Sequence, residues 1–223
     1  MNAATSTTDQ TPASGDIPLL SRHLREATAR VHEEAEHSTF MADLLGGRSG
    51  REAFVALTEQ LWFVYSALEE TVDARADHPL LAPLHDPRLR RRGALERDLR
   101  SLRGDAWRAG LAARSATGEY ARRIRDCADE PARLVAHHYT RYLGDLSGGQ
   151  VIPPLLARHY GLTDGVDFYR FDGIEKTKPY KDAYRAALDA LPLDATGREV
   201  AAAEAVEAFR LNTAMFEELG RAA

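Results

Sequence analysis

The stretch Tyr139-Thr140-Arg141-Tyr142-Leu143-Gly144-Asp145-Leu146-Ser147-Gly148-Gly149-Gln150 decides how the rest of the chain is read. It is helical in pattern on both sides, yet holds Gly144, Gly148 and Gly149 within six positions. A glycine inside a helix costs roughly 0.5–1 kcal/mol relative to alanine, so three cost on the order of 2–3 kcal/mol. Gly144 and Gly148 are four apart, which stacks them on one helix face. A strip without Cβ atoms admits a flat ligand or a second backbone at close range. A glycine pair alone reads as a kink or a tight helix crossing. Here Arg141 and Asp145, a guanidinium and a carboxylate one turn apart, border the strip, and a packing seam has little use for them. The stretch is read as a site.

Working outward, Asp129-Glu130-Pro131 is a helix start, with a capping carboxylate and a proline in the first turn. Pro153-Pro154 should break or bend the same helix, because neither residue has an amide hydrogen. Upstream, Leu20, Leu24, Ala27, Val31 and Ala35 repeat at helical spacing after Pro18. That first helix carries Arg25, Thr28, His32 and Glu36 on a neighbouring face. A short helix with Phe40, Met41, Leu44 and Leu45 stops at Gly46-Gly47. A long one spans 51–76, with Phe54, Leu57, Leu61, Val64, Leu68 and Val72 as its stripe. Three prolines make 77–88 a loop. Helices are expected at 89–103, briefly around Trp107 and Leu111, and at 117–128. Residues 161–175 read as irregular, anchored by Phe168, Tyr169 and Phe171; 176–190 reads as a basic helix. Thr196-Gly-Arg-Glu199 is a capping-box pattern opening a last helix to about Leu219. No period-2 strand, repeat or linker interrupts the pattern. The expected fold is a single-domain all-α bundle over 17–223, behind a disordered N-terminal tail over 1–16.

Composition fits this. The 223 residues are 44% hydrophobic and 28% charged with a net charge of −5, enough for one sizeable core and no argument for nucleic-acid binding. The single cysteine, Cys127, excludes an intramolecular disulfide and a cysteine-cluster metal site, and suits a reducing cytoplasm. No apolar run has the length needed to cross a membrane, and the N-terminal residues lack the basic start and apolar core of a signal peptide.

Of eight histidines, His23, His78 and His85 lie in polar or loop surroundings, and His159 is near a helix end. His137 and His138 point about 100° apart on a helix and cannot chelate one ion. Glu34-Ala35-Glu36-His37 matches the Glu-x-x-His pattern of di-iron bundles, but the second copy such sites need is missing. His32 alone reads more readily as a partly buried helical histidine than as a ligand. Glu36, one turn on, would fix its tautomer and make the other ring nitrogen a better metal ligand.

Leu24-Arg-Glu-Ala-Thr-Ala-Arg-Val-His32-Glu-Glu-Ala-Glu36 and the Tyr139–Gln150 stretch closely resemble the proximal and distal helix motifs of haem oxygenases. The similarity continues through Tyr65-Ser-Ala-Leu-Glu69, Lys181-Asp-Ala-Tyr-Arg185 and Phe209-Arg-Leu-Asn212, in the family's order, over about residues 17–220. The resemblance implies a bundle with haem between a proximal helix and a kinked, glycine-rich distal helix. His32 would be the proximal ligand of haem iron and Glu36 its partner. Gly144 and Gly148 would let the distal helix lie against the porphyrin. Asp145, with Tyr65 and Arg141, would hold ordered water over the iron. Arg25, Thr28, Tyr139, Lys181 and Arg185 would line the propionate side, with Phe209 beside the macrocycle. The family uses haem as cofactor and substrate, and opens it at the α-meso carbon with dioxygen and electrons, releasing biliverdin, carbon monoxide and ferrous iron. Its electron donors are a ferredoxin with its reductase or an NADPH-linked reductase.

Arg25 stands where many relatives have lysine, which keeps the charge but changes its geometry. Pro153-Pro154 replaces a stretch expected to be continuous helix. The hydrophobic C-terminal tail of membrane-anchored animal relatives has no counterpart here, so the resemblance points to a soluble, cytoplasmic bacterial form without a membrane anchor. Two other readings fit part of the pattern. A non-catalytic haem carrier or sensor needs His32, the cations and an apolar slot, but not the Gly144–Asp145 network. Bundles acting on thiamin-like or quinone-precursor substrates need neither motif.

Overall fold

The computed structural model describes residues 19–36 and 38–222, including all side chains there except those of Glu36 and Ala222. The tail expected over 1–16, Pro18 and His37 lie outside these residues. Among the described residues there are nine α-helices and no strand. They are α1 (Leu20–Glu36), α2 (Thr39–Leu45), α3 (Arg51–Asp73), α4 (Arg92–Arg103), α5 (Ser115–Asp126), α6 (Pro131–Gly148), α7 (Ile152–Tyr160), α8 (Thr177–Asp189) and α9 (Ala195–Ala222).

The long α9 is the spine. Ala201, Ala205 and Ala208 are fully buried, at helical spacing, and small side chains there let α1, α5 and α6 approach closely. Leu211, Met215 and Leu219 continue the same buried stripe. On α1 the face turned to the core is Leu20, Leu24, Thr28, Val31 and Ala35. Ala27, expected in that stripe, is exposed, and Thr28 takes its place by donating its hydroxyl to the Leu24 carbonyl at 2.8 Å. That internal bond removes the polar cost of burying it. α3 buries both faces, Phe54, Leu57, Leu61, Val64 and Leu68 among them, against α4 and α5.

Several expected helix ends move, each for a local reason. Glu130 makes no cap bond at the start of α6; its carboxylate accepts from Arg133 instead (2.6 Å), so Pro131 alone marks the first turn. α9 is capped by Asp194, whose Oδ1 accepts the Gly197 amide at 2.7 Å, not by Thr196. Around Trp107 the chain forms turns instead of a helix, with the Trp107 side chain buried. The expected 77–88 loop contains two 3₁₀ turns, Ala82–Leu84 and Pro87–Leu89. α6 ends at Gly148, before the prolines. A 3₁₀ turn over Gly149–Val151 tightens the chain, and Pro153-Pro154 fall in the first turn of α7, where a missing amide hydrogen costs nothing.

One buried carboxylate fastens three helices. Glu204 of α9 is 1% exposed; it accepts from Arg123 of α5 (Nε, 2.8 Å), Arg133 of α6 (Nη1, 2.9 Å) and His137 of α6 (Nε2, 2.9 Å). Cys127 Sγ approaches the same carboxylate at 3.7 Å, but burial pushes its pKa up to about 12 and it stays a thiol. With two guanidiniums already on Glu204, the cluster is a polar lock and not a metal site. Burial would raise the Glu204 pKa, but the His137, Arg123 and Arg133 hydrogen bonds outweigh it and hold the carboxyl well below the usual range. A depressed carboxyl stabilises the fold above its unfolded pKa, about 4.3, and that stabilisation is lost as pH falls below it. Glu204→Gln should cost about 3 kcal/mol at pH 7, with the deficit shrinking steadily below about pH 4. Urea denaturation of both proteins from pH 7 to 3 measures this; a deficit independent of pH would show that the charge does not matter.

Candidate functional site

A cavity of about 420 Å³ lies between α1 and α6, with α9 contributing Phe209 and α8 contributing Arg185. From α1 come Arg25, Thr28, Ala29 and His32; from α6 come Tyr139, Thr140, Leu143, Gly144 and Ser147. Residues 25, 28 and 32 reach it together because they are spaced by three and four on one face of α1. The His32 ring packs against Phe209, centroids 5.4 Å apart at 58°.

The glycine strip divides into two jobs. None of Gly144, Gly148 and Gly149 has a positive φ, so backbone freedom is not what they supply. A Cβ at Gly144 or Gly148 would meet no atom within 4 Å, which rules out a helix seated against this face in the described structure. At Gly149 a Cβ would come within 3.3 Å of the Tyr169 ring, so this glycine does serve packing.

Behind the strip, Asp145 is drawn inward and does not line the cavity itself. Its carboxylate accepts from the Tyr65 hydroxyl and lies 3.6 Å from Arg141. The Arg141 guanidinium also donates to Tyr65 Oη (3.2 Å) and to Asn212 Oδ1 (2.7 Å), joining α3, α6 and α9. Burial raises the pKa of Asp145, opposed by the charge of Arg141 and the Tyr65 bond. Burial also pushes the Tyr65 hydroxyl well above its ordinary value. For Arg141, burial works against the charge, but the Tyr65 and Asp145 partners outweigh it and raise its pKa. The outcome is a carboxyl with increased proton affinity, beside a permanent cation and next in the chain to Gly144 of the open strip.

The cavity rim is cationic. Arg25 and Arg185 line it, and Lys181 reaches its edge by donating to Ser147 Oγ at 3.2 Å without lining it. Tyr139 is more than half-buried; burial raises its hydroxyl pKa, against Arg185, a hydrogen bond with Thr28, and Arg25. The Thr28 hydroxyl is committed to the Leu24 carbonyl as donor. Gly148 lies beyond the cavity lining but on the same open face, and the Glu36 side chain lies outside the described residues.

Three participants escaped the sequence reading. Asn212 receives an Arg141 hydrogen bond; the Phe209-Arg-Leu-Asn212 stretch contains it, but no role was assigned to it there. Buried Asp98 accepts the amides of Asp167 and Phe168 (2.7 and 2.8 Å), while buried Arg91 donates to the Phe168 carbonyl (3.2 Å). They clamp the turn that sets the Phe168 ring edge-on to Tyr65, centroids 5.3 Å apart. Burial pushes the Asp98 carboxyl up to about 6, against the two amides.

The open space at Gly144 and Gly148 has a consequence for the ligand-free protein. Alanine at either position adds helix propensity without a clash, and should raise stability by about 0.5–1 kcal/mol. Gly149→Ala gains the same propensity but must push Tyr169 aside, so it should fall short of the other two. Thermal denaturation of the three variants tests the division; equal gains at all three would remove the packing role of Gly149.

The family model described as Heme oxygenase matches residues 19–218. Among curated proteins, the chain is 42% identical to heme oxygenase of Porphyra purpurea over 206 residues, covering 91% of this chain and 87% of that protein. It is 40% identical to heme oxygenase 1 of Gallus gallus over 205 residues, covering 90% of this chain and 69% of that one. Among solved structures, heme oxygenase-1 from the cyanobacterium Synechocystis, in complex with heme, superposes with a TM-score of 0.87 at 39% identity, covering 92% of this chain and 96% of that one. A glycine-faced helix opposite a histidine-bearing one, in an all-helical bundle, and these similarities along almost its whole length agree: the chain belongs to the heme oxygenase family.

Proposed function

We propose that this chain binds haem between α1 and α6 and opens it oxidatively at the α-meso carbon, giving biliverdin, carbon monoxide and ferrous iron. The observation that carries the reading is the strip at Gly144 and Gly148. Both glycines face open space, and Gly144 lines the same cavity as His32. A flat macrocycle fits such a slot, and a side chain at either glycine would fill it. His32 would supply a ring nitrogen to the iron, Phe209 would pack beside the ring, and Arg25, Lys181 and Arg185 would meet its two carboxylates. When bound, haem supplies the iron at which dioxygen is activated as well as the carbon that is attacked.

The protein's own groups do the rest. Apolar contact with the ring face supplies most of the affinity, at about 25 cal/mol per Å² buried. Each cation–carboxylate pair at the exposed rim adds only about 0–1 kcal/mol, so the rim sets orientation more than affinity. Tyr65 and Arg141 hold Asp145 back from the cavity, and a proton passes from it through ordered water instead of by contact. Gly144 and Gly148 present backbone alone to the distal side, with no imidazole there. Electrons come from a small ferredoxin with its reductase or from an NADPH-linked reductase. No helix among the described residues is long and apolar enough to cross a membrane, and we place the protein in the cytoplasm. A haem carrier needs only the slot, His32 and the rim; the buried cluster of Tyr65, Arg141, Asp145 and Asn212 is what favours the enzyme.

Haemin added to the purified protein, followed by a reductant under air, tests the reading directly. An oxygenase loses its Soret band as biliverdin appears, whereas a carrier keeps it. In His32→Ala the slot should still hold haemin loosely, turnover should vanish, and added imidazole should partly restore it. Full turnover without imidazole would remove His32 from the mechanism.

Asp145 separates chemistry from binding. Asp145→Ala leaves the cavity lining intact, so haemin affinity should change little while biliverdin yield drops by roughly a hundredfold. Asp145→Asn, which still anchors a water, should retain more activity than the alanine variant. A normal yield from Asp145→Ala would exclude the relay, and lost affinity would make the residue structural.

A further inference from the structure

α8 carries Arg185 and Lys181, so its placement decides where two of the rim cations stand. Three polar contacts from its tyrosines and its terminal carboxylate hold it. The Tyr180 hydroxyl donates to Asp86 Oδ2 at 2.7 Å, and Asp189 accepts from the Ser21 amide and hydroxyl at 2.7 and 2.9 Å. The Tyr184 hydroxyl and His138 Nδ1 are hydrogen-bonded at 2.6 Å. The first two fasten the ends of α8 to the 82–89 loop and to α1. Of the three, Tyr184–His138 is the one that joins α8 to α6. The other α8–α6 hydrogen bond, Lys181 to Ser147, uses a cation that the substrate's carboxylate would draw away.

His138 and Tyr184 are 3% and 5% exposed, and their rings stack at 5.7 Å with 6° between planes. Burial pushes the His138 ring down to about 3 and the Tyr184 hydroxyl well above its ordinary value. The imidazole is therefore neutral, and the phenol keeps its proton, so one ring nitrogen is able to accept from it. Each partner is the chain neighbour of a cavity residue: Tyr139 follows His138, and Arg185 follows Tyr184. A bond at this point transmits its geometry to both walls with one residue of slack.

We propose that His138 and Tyr184 form a positioning pair that fixes how α8 presents Arg185 and Lys181, and thereby which meso carbon of the ring is opened. The inference rests on the haem reading above. A near-square macrocycle in an apolar slot has little to stop it turning in its own plane. Carboxylates clamped by cations of fixed position supply the stop, and cations on a loosened helix do not.

Tyr184→Phe deletes the bond and keeps the stack. It also leaves His138 Nδ1 buried without its partner, which lowers stability in its own right. The double variant His138→Leu/Tyr184→Phe removes both polar ends and relieves that penalty, so it separates positioning from stability. Two readouts apply: amide hydrogen exchange over 177–189 in the haem-free protein, and proton NMR of the ferric haemin complex, where each ring seating gives its own set of methyl resonances. Both variants should exchange roughly tenfold faster along α8. Both should show a second seating at roughly one part in ten, with a second biliverdin isomer in matching proportion. Arg185→Glu in parallel reports on the clamp itself. A single seating in both variants while Arg185→Glu gives two would overturn the pair's role and leave the haem reading standing. A second seating in Tyr184→Phe that disappears in the double variant would assign the effect to stability and also overturn it. One seating in Arg185→Glu as well would remove the clamp and the proposal together.

Discussion

A buried guanidinium has to be neutralised where it lies, and Arg141 organises the distal half of this molecule around that requirement. At 8% exposure it finds the Asp145 carboxylate one turn along its own helix, the Tyr65 hydroxyl on α3 and the Asn212 carbonyl on α9. Removing any one partner from such a cluster leaves charge or dipole stranded at low dielectric. The cluster therefore holds α6 in one register against α3 and α9. It also explains why the Asp145 carboxylate, beside the glycine strip, turns away from the cavity. Asp145 serves Arg141 first, and the face it vacates is bare backbone.

The sequence reading and the structure agree where the argument depends on period and differ where it depends on distance along the chain. The Gly144–Gly148 spacing and the Arg25–Thr28–His32 spacing are local, and a helix turns them into shared faces without help from the rest of the fold. Ala27 and Thr28 show the limit of that logic. Both positions suit a stripe boundary, and a side-chain bond to Leu24 decides that the threonine goes inside. Helix ends were less legible still. Pro153-Pro154 marks the break between α6 and α7, but a proline is comfortable in a first turn, so the break falls on the glycines before it. Asn212 and Arg141 are 71 positions apart, and Asp98 and Phe168 are 70 apart. No periodicity connects such pairs, and they come together only once α9 and the 167–170 turn have docked.

The two walls of the cavity are held by different physics. α6 is fixed by directional contacts: the Arg141 cluster, the Glu204 lock and the His138–Tyr184 bond. α1 lies on α9 through Leu20, Leu24, Val31 and Ala35, with polar anchors in its first turn where Ser21 meets Asp189 of α8 and His23 meets Glu199 of α9 at 3.0 Å. Apolar contact is proportional to area and nearly indifferent to small slides, whereas a hydrogen bond weakens steeply when it is bent. Bending a hydrogen-bonded contact on α6 therefore costs more than a small slide along the apolar seam between α1 and α9. A flat ligand entering the slot meets a rigid glycine-faced wall on one side. On the other it meets the histidine-bearing wall of α1, seated on α9 chiefly by apolar contact. That asymmetry suits a site whose glycine-faced wall sets the orientation of a flat ligand, while the histidine-bearing wall has only to lie close to it.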